Sequence, residues 1–116
     1  MAMMADNLFL RIIDKEIPAK IVYEDDLCLA FHDVGPKAPI HVLIIPKKVI
    51  RTHADITDDD AVLLGHIHVV AAKLAVKLGL TDGYRLVINS GEHAGQSVPH
   101  LHLHLLGGRD FGWPPG

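Results

Sequence analysis

The pattern of polar and apolar positions predicts the strands of this chain. From His100 to Leu105 histidine and leucine alternate, and the strand is expected to run to Leu106. Successive side chains of a strand point to opposite faces, so the leucines indicate a core face and the histidines the face opposite. The stretch His41–Ile45 is apolar on both faces, which predicts a central strand. Shorter β-prone runs occur at 21–23, 27–31 and 84–89.

Helical spacing of apolar residues predicts two helices of unequal length. A short helix is expected over residues 8–15, after an Asp6-Asn7 cap. A long helix is expected over residues 57–78, because Thr57 is a good N-cap residue and Gly79 suits the position after the last turn. Short connections between most strands favour an α+β domain, an antiparallel meander of about five strands with the helices on one side.

Length, charge and cysteine content narrow the class of protein. The chain has 116 residues, enough for one core, so we expect a single domain over 1–116 with residues 107–116 as an irregular tail. A net charge of −3 argues against nucleic acid, and no apolar run is long enough to span a membrane. Cys28 stands alone and residues 1–6 lack the features of a secretion signal, so we expect a cytoplasmic protein.

The three alternating histidines allow three interpretations. They form a polar outer face, or His-x-His supplies two nitrogen ligands to a metal ion with His41 as a third, or a neutral imidazole attacks phosphorus. The loop Gly95-Gln96-Ser97 offers backbone N–H groups and a hydroxyl, which suit an anion. Carboxylates that would support a metal site are not adjacent to the histidines. Phosphoryl chemistry is therefore the favoured interpretation.

A family resemblance lies in the segment SVPHLHLHLLGGR, which resembles the signature of the histidine triad (HIT) superfamily. Its Gly107-Gly108-Arg109 ending is similar to the Hint branch, the histidine triad nucleotide-binding proteins. Nearly the whole chain is covered, because four further segments are also similar to Hint proteins: IIDKEIPAKIVYEDD, LAFHDVGPKAPIHVLIIPKK, GYRLVINSGEHAGQSV and WPPG. The resemblance implies a HIT-like fold, a two-fold homodimer with a shared sheet, and hydrolysis of purine nucleoside phosphoramidates with no cofactor or metal.

The same resemblance implies roles for individual residues. His102 would be the nucleophile and would carry a nucleotidyl-histidine intermediate. His104 would contact the phosphate, and His100 would help to order the three histidines of the segment. His41 would be the fourth histidine of the site. Asp33 would accept the ribose hydroxyls of a purine nucleoside monophosphate; the alternative is a loop aspartate that caps Gly35.

The remaining implied contacts surround the nucleotide. Phosphate or leaving-group contacts are implied for Asn89, Ser97 and the backbone of Gly95 and Gln96. An apolar base pocket is implied for Phe9, Ile12, Phe31, Val34 and Leu43, with His32 beside it. Trp113 is expected to dock rather than stay exposed, since in the Hint family each C-terminus reaches toward the partner's active site.

Overall fold

The computed structural model describes residues 6–116, so the expectation about a secretion signal lies mostly outside the described residues. Two helices and five strands make up the domain. The helices are α1 (Leu8–Ile13) and α2 (Ala61–Lys77), and the strands are β1 (Ile21–Glu24), β2 (Cys28–His32), β3 (Ile40–Pro46), β4 (Tyr84–Val87) and β5 (Leu103–Gly107). The predicted α+β class, with about five strands and one long and one short helix, is confirmed.

The sheet is antiparallel throughout and has the strand order β1-β2-β3-β5-β4. The first three strands form a meander, while β5 lies between β3 and β4. In this register His41 is paired with Leu106 and Leu43 with His104. The last strand of the chain is therefore a central one, and it brings its histidine next to β3.

The two helices cover opposite faces of the sheet, so the expectation that both lie on one side is wrong. One apolar cluster joins α2 to Val42, Ile44 and the three alternating leucines. A second cluster joins Phe9 and Ile12 of α1 to alternate residues of β2 and β3. The reason is that the central strands are apolar on both faces, and each face has to be removed from water.

The helix ends follow local capping chemistry. Asn7 caps α1, accepting a hydrogen bond from the backbone N–H of Leu10 at 3.0 Å. Helix α1 ends two residues earlier than predicted. Helix α2 is preceded by a 3-10 turn over Asp58–Asp60, and Gly79 after it has the positive φ, +78°, that glycine tolerates. Within residues 6–116, neither helix is long and apolar enough to cross a membrane.

The histidine segment is only partly a strand, because β5 begins at Leu103. The backbone just before it bonds elsewhere: the N–H of Leu101 donates to Ile50 at 2.6 Å, and the N–H of His100 donates to Val98. The leucines nevertheless lie in the core as predicted. Strand β5 continues through Gly107, so the segment without helix or strand starts at Gly108 rather than at Gly107.

Candidate functional site

Four histidines meet on the face of the sheet that α1 covers. His41 Nε2 lies 2.9 Å from His104 Nδ1 across the β3–β5 pair. The rings of His102 and His104 have centroids 4.9 Å apart. His100 precedes them along the same segment and is fully buried. The structure thus brings together all four histidines that the sequence pointed to.

The hydrogen bonds of His41 and His104 define where their protons lie. The backbone N–H of Lys37 donates to His41 Nδ1 at 3.0 Å, so that nitrogen bears no hydrogen. In a neutral ring His41 Nε2 then carries the proton and donates it to His104 Nδ1. The proton of His104 consequently lies on its Nε2, a buried atom with no hydrogen-bond partner among residues 6–116. This chain of hydrogen bonds therefore ends in a buried N–H donor that no group in residues 6–116 accepts from.

The protons of His100 and His102 follow from contacts with carbonyl oxygens, which can only accept. His102 Nδ1 lies 2.8 Å from the carbonyl oxygen of His100, so Nδ1 carries the hydrogen and Nε2 keeps a lone pair. His100 Nε2 likewise donates to the carbonyl oxygen of Pro46 at 2.7 Å. His102 therefore presents the unprotonated nitrogen that a nucleophile needs.

All four rings are held in the neutral form near pH 7. Burial is the largest cause in each case, since removing an imidazole from water disfavours its charged form. It lowers the pKa of His41, His100 and His102. The pKa of His104 falls to about 4, because the neighbouring His102 and His41 add to the effect of burial.

The apolar residues expected around a base form a wall beneath the histidines rather than an open pocket. Phe9 packs edge-to-face on both His102 and Phe31, with centroid separations of 4.9 and 5.6 Å. Ile12 and Leu43 belong to the same cluster, and all four side chains are at most 6% exposed. In the single chain these residues support His102 from below, and they present little surface to a ligand.

An open groove of about 780 Å³ lies beside the histidines. His32, Asp33, Val34 and His41 line it, together with prolines of the neighbouring loops. Val34 is fully exposed on its rim. The groove therefore gathers three of the residues expected to contact the nucleoside next to one of the four histidines.

Asp33 has both oxygens close to protein groups. Its Oδ1 accepts from the backbone N–H of Gly35 at 2.7 Å, which is the loop-capping role weighed above. Its Oδ2 lies 3.5 Å from His41 Nε2. A carboxylate has about four acceptor positions, so one such contact on each oxygen still leaves room for hydroxyl donors.

The loop before the histidine segment is more occupied than its sequence indicated. The backbone N–H of Gly95 donates to Glu92, and that of Gln96 donates to Gly91 at 3.1 Å. Both N–H groups are thus engaged within the loop in the single chain, and the expectation that they bind phosphate stays a prediction. Ser97 is half-buried and follows the turn directly.

The two remaining expected residues lie after strands β4 and β5, and Val87 of β4, two positions before Asn89, is paired with His104. Asn89 is in the loop that follows β4 and is half-buried. Trp113 is 84% exposed in the single chain, and its docking at a partner's site stays a prediction. The tail is held instead at Phe111, where Arg85 and Arg109 lie over the ring with separations of 5.0 and 4.2 Å from its centroid.

Sequence reasoning missed Asn7 and Lys37 as partners of the histidines, and it named Gln96 for its backbone but not for its side chain. Asn7 Nδ2 lies 3.0 Å from His100 Nδ1, across 93 positions of sequence. The side chain of Gln96 is 1% exposed; it donates to the carbonyls of Arg51 and Val98 and accepts from Gly91. Lys37 acts through its backbone. Of these residues, only Asn7 was recognisable in the sequence, as a helix cap, and that position predicts a role in starting α1 rather than a contact with His100.

The site geometry favours hydrogen bonding over metal binding at His41 and His104. Asp33, His41 and His104 have donor atoms within 4.8 Å of one another, the closest such group among these histidines. Two nitrogens on one tetrahedral zinc ion lie roughly 3.3 Å apart, with Zn–N bonds of about 2.0–2.1 Å. The nitrogens of His41 and His104 are 2.9 Å apart, a hydrogen-bond distance.

Comparisons with known proteins agree with this arrangement. The HIT domain family matches residues 14–111. An uncharacterised HIT-like protein of Synechocystis is 58% identical over 114 residues, which is 98% of this chain and all of that protein. A HIT family hydrolase from Legionella pneumophila superposes with a TM-score of 0.94 at 54% identity, covering 96% of this chain and all of that one.

A more distant structure carries a more specific description. It is a histidine triad nucleotide-binding protein from Candida albicans, with a TM-score of 0.80 at 35% identity, covering 94% of this chain and 83% of that one. The chain belongs to the HIT domain family, and its fold is that of the HIT family structures. The names of its structural neighbours support a hydrolase.

Proposed function

We propose that this protein is a Hint-type hydrolase that cleaves the P–N bond of purine nucleoside phosphoramidates through a nucleotidyl-histidine at His102. One observation carries the proposal. His102 donates its Nδ1 hydrogen to the His100 carbonyl and so keeps an unprotonated Nε2 in a buried, neutral ring. A neutral imidazole with its lone pair free is the form that attacks phosphorus.

The proposed reaction has two steps. In the first, His102 Nε2 forms a bond to phosphorus while the bond from phosphorus to the amine breaks, and the amine leaves with a proton from solvent. In the second, water attacks the phosphorus and gives a proton to solvent while the bond from His102 Nε2 to phosphorus breaks, which releases the nucleoside monophosphate and restores the neutral ring. Throughout both steps the His100 carbonyl stabilises the Nδ1–H of His102, whose positive charge grows when phosphorus is attached.

His104 supplies the stabilisation of the phosphate. Its Nε2–H is a buried donor without a partner in residues 6–116, and burial makes such a donor costly until a ligand accepts from it. A phosphate oxygen held there would meet one N–H whose direction is set by the relay from Lys37 through His41. The groove with His32, Asp33 and Val34 also includes His41, the ring that donates to His104, and it takes the nucleoside, with the ribose at Asp33.

The decisive experiment traps the intermediate. The protein is mixed with an adenosine phosphoramidate, quenched with acid within milliseconds to seconds, and mapped by mass spectrometry for adenylate on His102. His102→Asn keeps an N–H that can reach the His100 carbonyl and removes the nucleophile, so the fold persists and turnover falls by several orders of magnitude. His93→Gln, at an exposed loop position, is the matched control and turns over normally.

The outcomes separate three functions. Adenylate on His102 with turnover that survives a strong chelator supports the proposal. Turnover that disappears with the chelator and returns with zinc indicates a metal enzyme. Nucleotide binding without either adenylate or turnover indicates a regulatory binding protein and contradicts the hydrolase.

The proposal includes a two-fold homodimer with a shared sheet. Strand β4 lies at the edge of the sheet and exposes Leu86. Helix α2 exposes three valines at a spacing of seven residues, which places Val62, Val69 and Val76 along one stripe of the helix. An exposed apolar stripe beside a free strand edge suits a second copy of the chain.

The oligomeric state tests this part directly. We expect sedimentation equilibrium to give a dimer at micromolar concentration and Val69→Glu to shift it towards monomer. Val49→Glu makes the same change at an exposed valine outside α2 and serves as control. A wild-type monomer, or equal effects of the two substitutions, would contradict the shared-sheet dimer.

A further inference from the structure

Asn7 connects the start of α1 to the histidine segment through one side chain. Its Oδ1 accepts from the backbone N–H of Leu10 and its Nδ2 faces His100 Nδ1, both at 3.0 Å. The Leu10 N–H can only donate, so the oxygen of the amide has to face it. The amide orientation is therefore unambiguous, and Asn7 Nδ2 donates to His100.

His100 is consequently held from both sides. Its Nε2–H donates to the Pro46 carbonyl at 2.7 Å and its Nδ1 accepts from Asn7. The ring is completely buried, so water does not replace either partner. One tautomer and one ring orientation satisfy both contacts, and any other leaves a buried polar atom unpaired.

The backbone of His100 in turn holds His102. The His100 carbonyl is the acceptor for His102 Nδ1–H at 2.8 Å, and the direction of that carbonyl depends on how residue 100 is anchored. Helix α1 also supplies Phe9, which packs on the His102 ring at 4.9 Å. Contacts from the first turn of α1 thus reach His102 both directly and through His100.

We propose that Asn7 is a positioning residue for His102, which sets the His100 tautomer and through it the direction of the carbonyl that binds His102 Nδ1–H. This inference rests on the proposed function, in which His102 is the nucleophile. Displacing a reacting group by ~1 Å costs about a hundred-fold in rate. We therefore expect loss of the Asn7 donor to slow adenylation of His102 by between about ten-fold and about a hundred-fold.

Two variants separate this role from helix capping. Asn7→Asp keeps an oxygen that accepts from Leu10 and replaces the donor to His100 with a second acceptor. Asn7→Ser also keeps a capping oxygen, but its side chain is too short to reach His100. Thr57→Ala, at the N-cap of the 3-10 turn that precedes α2 on the other face of the sheet, controls for a general loss of capping. The predicted N-cap of the long helix is thus the cap of this turn, and the N-cap of α2 itself is Asp60.

The measurements are the rate of the adenylation step, the affinity for adenosine monophosphate, and the 15N spectra of the histidine rings. We expect both Asn7 variants to remain folded at the assay temperature, with a lower unfolding temperature in Asn7→Ser because the buried His100 Nδ1 loses its partner. We expect both to slow adenylation more than they weaken nucleotide binding. In Asn7→Asp, His100 gains a proton on Nδ1 and its pKa rises, because a carboxylate faces it. In both variants the His102 Nδ1 hydrogen exchanges faster with solvent. Thr57→Ala changes none of these.

Each outcome has one meaning. Unchanged adenylation and unchanged His102 Nδ1–H exchange in both Asn7 variants would overturn the positioning role. If the wild-type protein forms no adenylate at all, the proposed function fails, while the ring spectra still report whether Asn7 holds His100 and His102 in place. A loss of activity that merely parallels a loss of folded protein, as judged against Thr57→Ala, would also overturn it.

Discussion

Acid should unfold this protein in a pH range set by the buried histidines. His104 has a pKa of about 4 in the folded chain and an ordinary value of 6.5 when unfolded. Between these values the unfolded chain binds a proton that the folded chain does not. Stability therefore falls as the pH drops through 6.5, and the loss from this residue is complete near pH 4.

The size of the effect follows from the same two values. Each unit of pKa difference corresponds to 1.36 kcal/mol, so His104 alone removes at most about 3 kcal/mol of the free energy of unfolding. The loss is smaller than this upper value because solvent screens the partly exposed part of the ring. Burial lowers the pKa of His41, His100 and His102 as well, and they add to the slope. Domains have about 5–15 kcal/mol in total, so the loss is a large part of it.

Carboxylates act in a lower range and do not obscure this slope. Burial raises the pKa of Asp25, but hydrogen bonds from Tyr23 and His66 outweigh it and lower the pKa below the ordinary 3.8. Stability from Asp25 is present above pH 3.8 and is lost as the pH falls below that value. The window from pH 6.5 to about 4.5 therefore reports mainly on histidines.

The assay is urea unfolding followed by circular dichroism at pH 7, 6, 5 and 4.5. We expect the free energy of unfolding to fall with a slope of more than one proton per pH unit. His104→Gln removes one titrating ring, so its slope is smaller by about one proton. Equal stability at pH 7 and pH 5, or an unaltered slope in His104→Gln, would refute the reasoning.

The other predictions concern ligands and the tail. Asp33→Asn keeps the oxygen that caps Gly35 and should cost a ribonucleotide about 1.5–3 kcal/mol more than its 2′-deoxy analogue, since a charged acceptor is lost; equal losses would remove Asp33 from the ribose site. Adenosine monophosphate should raise the melting temperature by mass action, and calorimetry with a chelator should give the same shift; a shift that disappears would favour zinc. Deleting residues 113–116 should change the ratio of kcat/KM for bulky and small amine leaving groups, because Trp113, which is exposed in the single chain, then no longer reaches a partner's site. An unchanged ratio, with fully solvated fluorescence of Trp113 in the full-length protein, would mean that the tail does not affect the choice of leaving group.

Local patterns in the sequence determined much of this fold. Leu101, Leu103 and Leu105 face the core because strand side chains alternate and leucine is apolar, whichever strand lies alongside. Asn7 begins α1 and Gly79 follows α2, because capping and positive φ depend on a few neighbouring residues. The identity of the four histidines was readable for the same reason, together with a resemblance that covers nearly the whole chain.

Other features depend on contacts between distant parts of the chain, and only the tertiary structure decided them. The pairing of β5 with β3 creates the His41–His104 contact across 63 residues. The packing of α1 on the face of the sheet opposite α2 creates the Asn7–His100 contact across 93 residues. A local sequence pattern does not determine which strands become neighbours in a sheet or which face of the sheet a helix covers. The proton positions of the four rings follow from those partners, so the chemistry of the site was decided by packing although its residues were evident in the sequence.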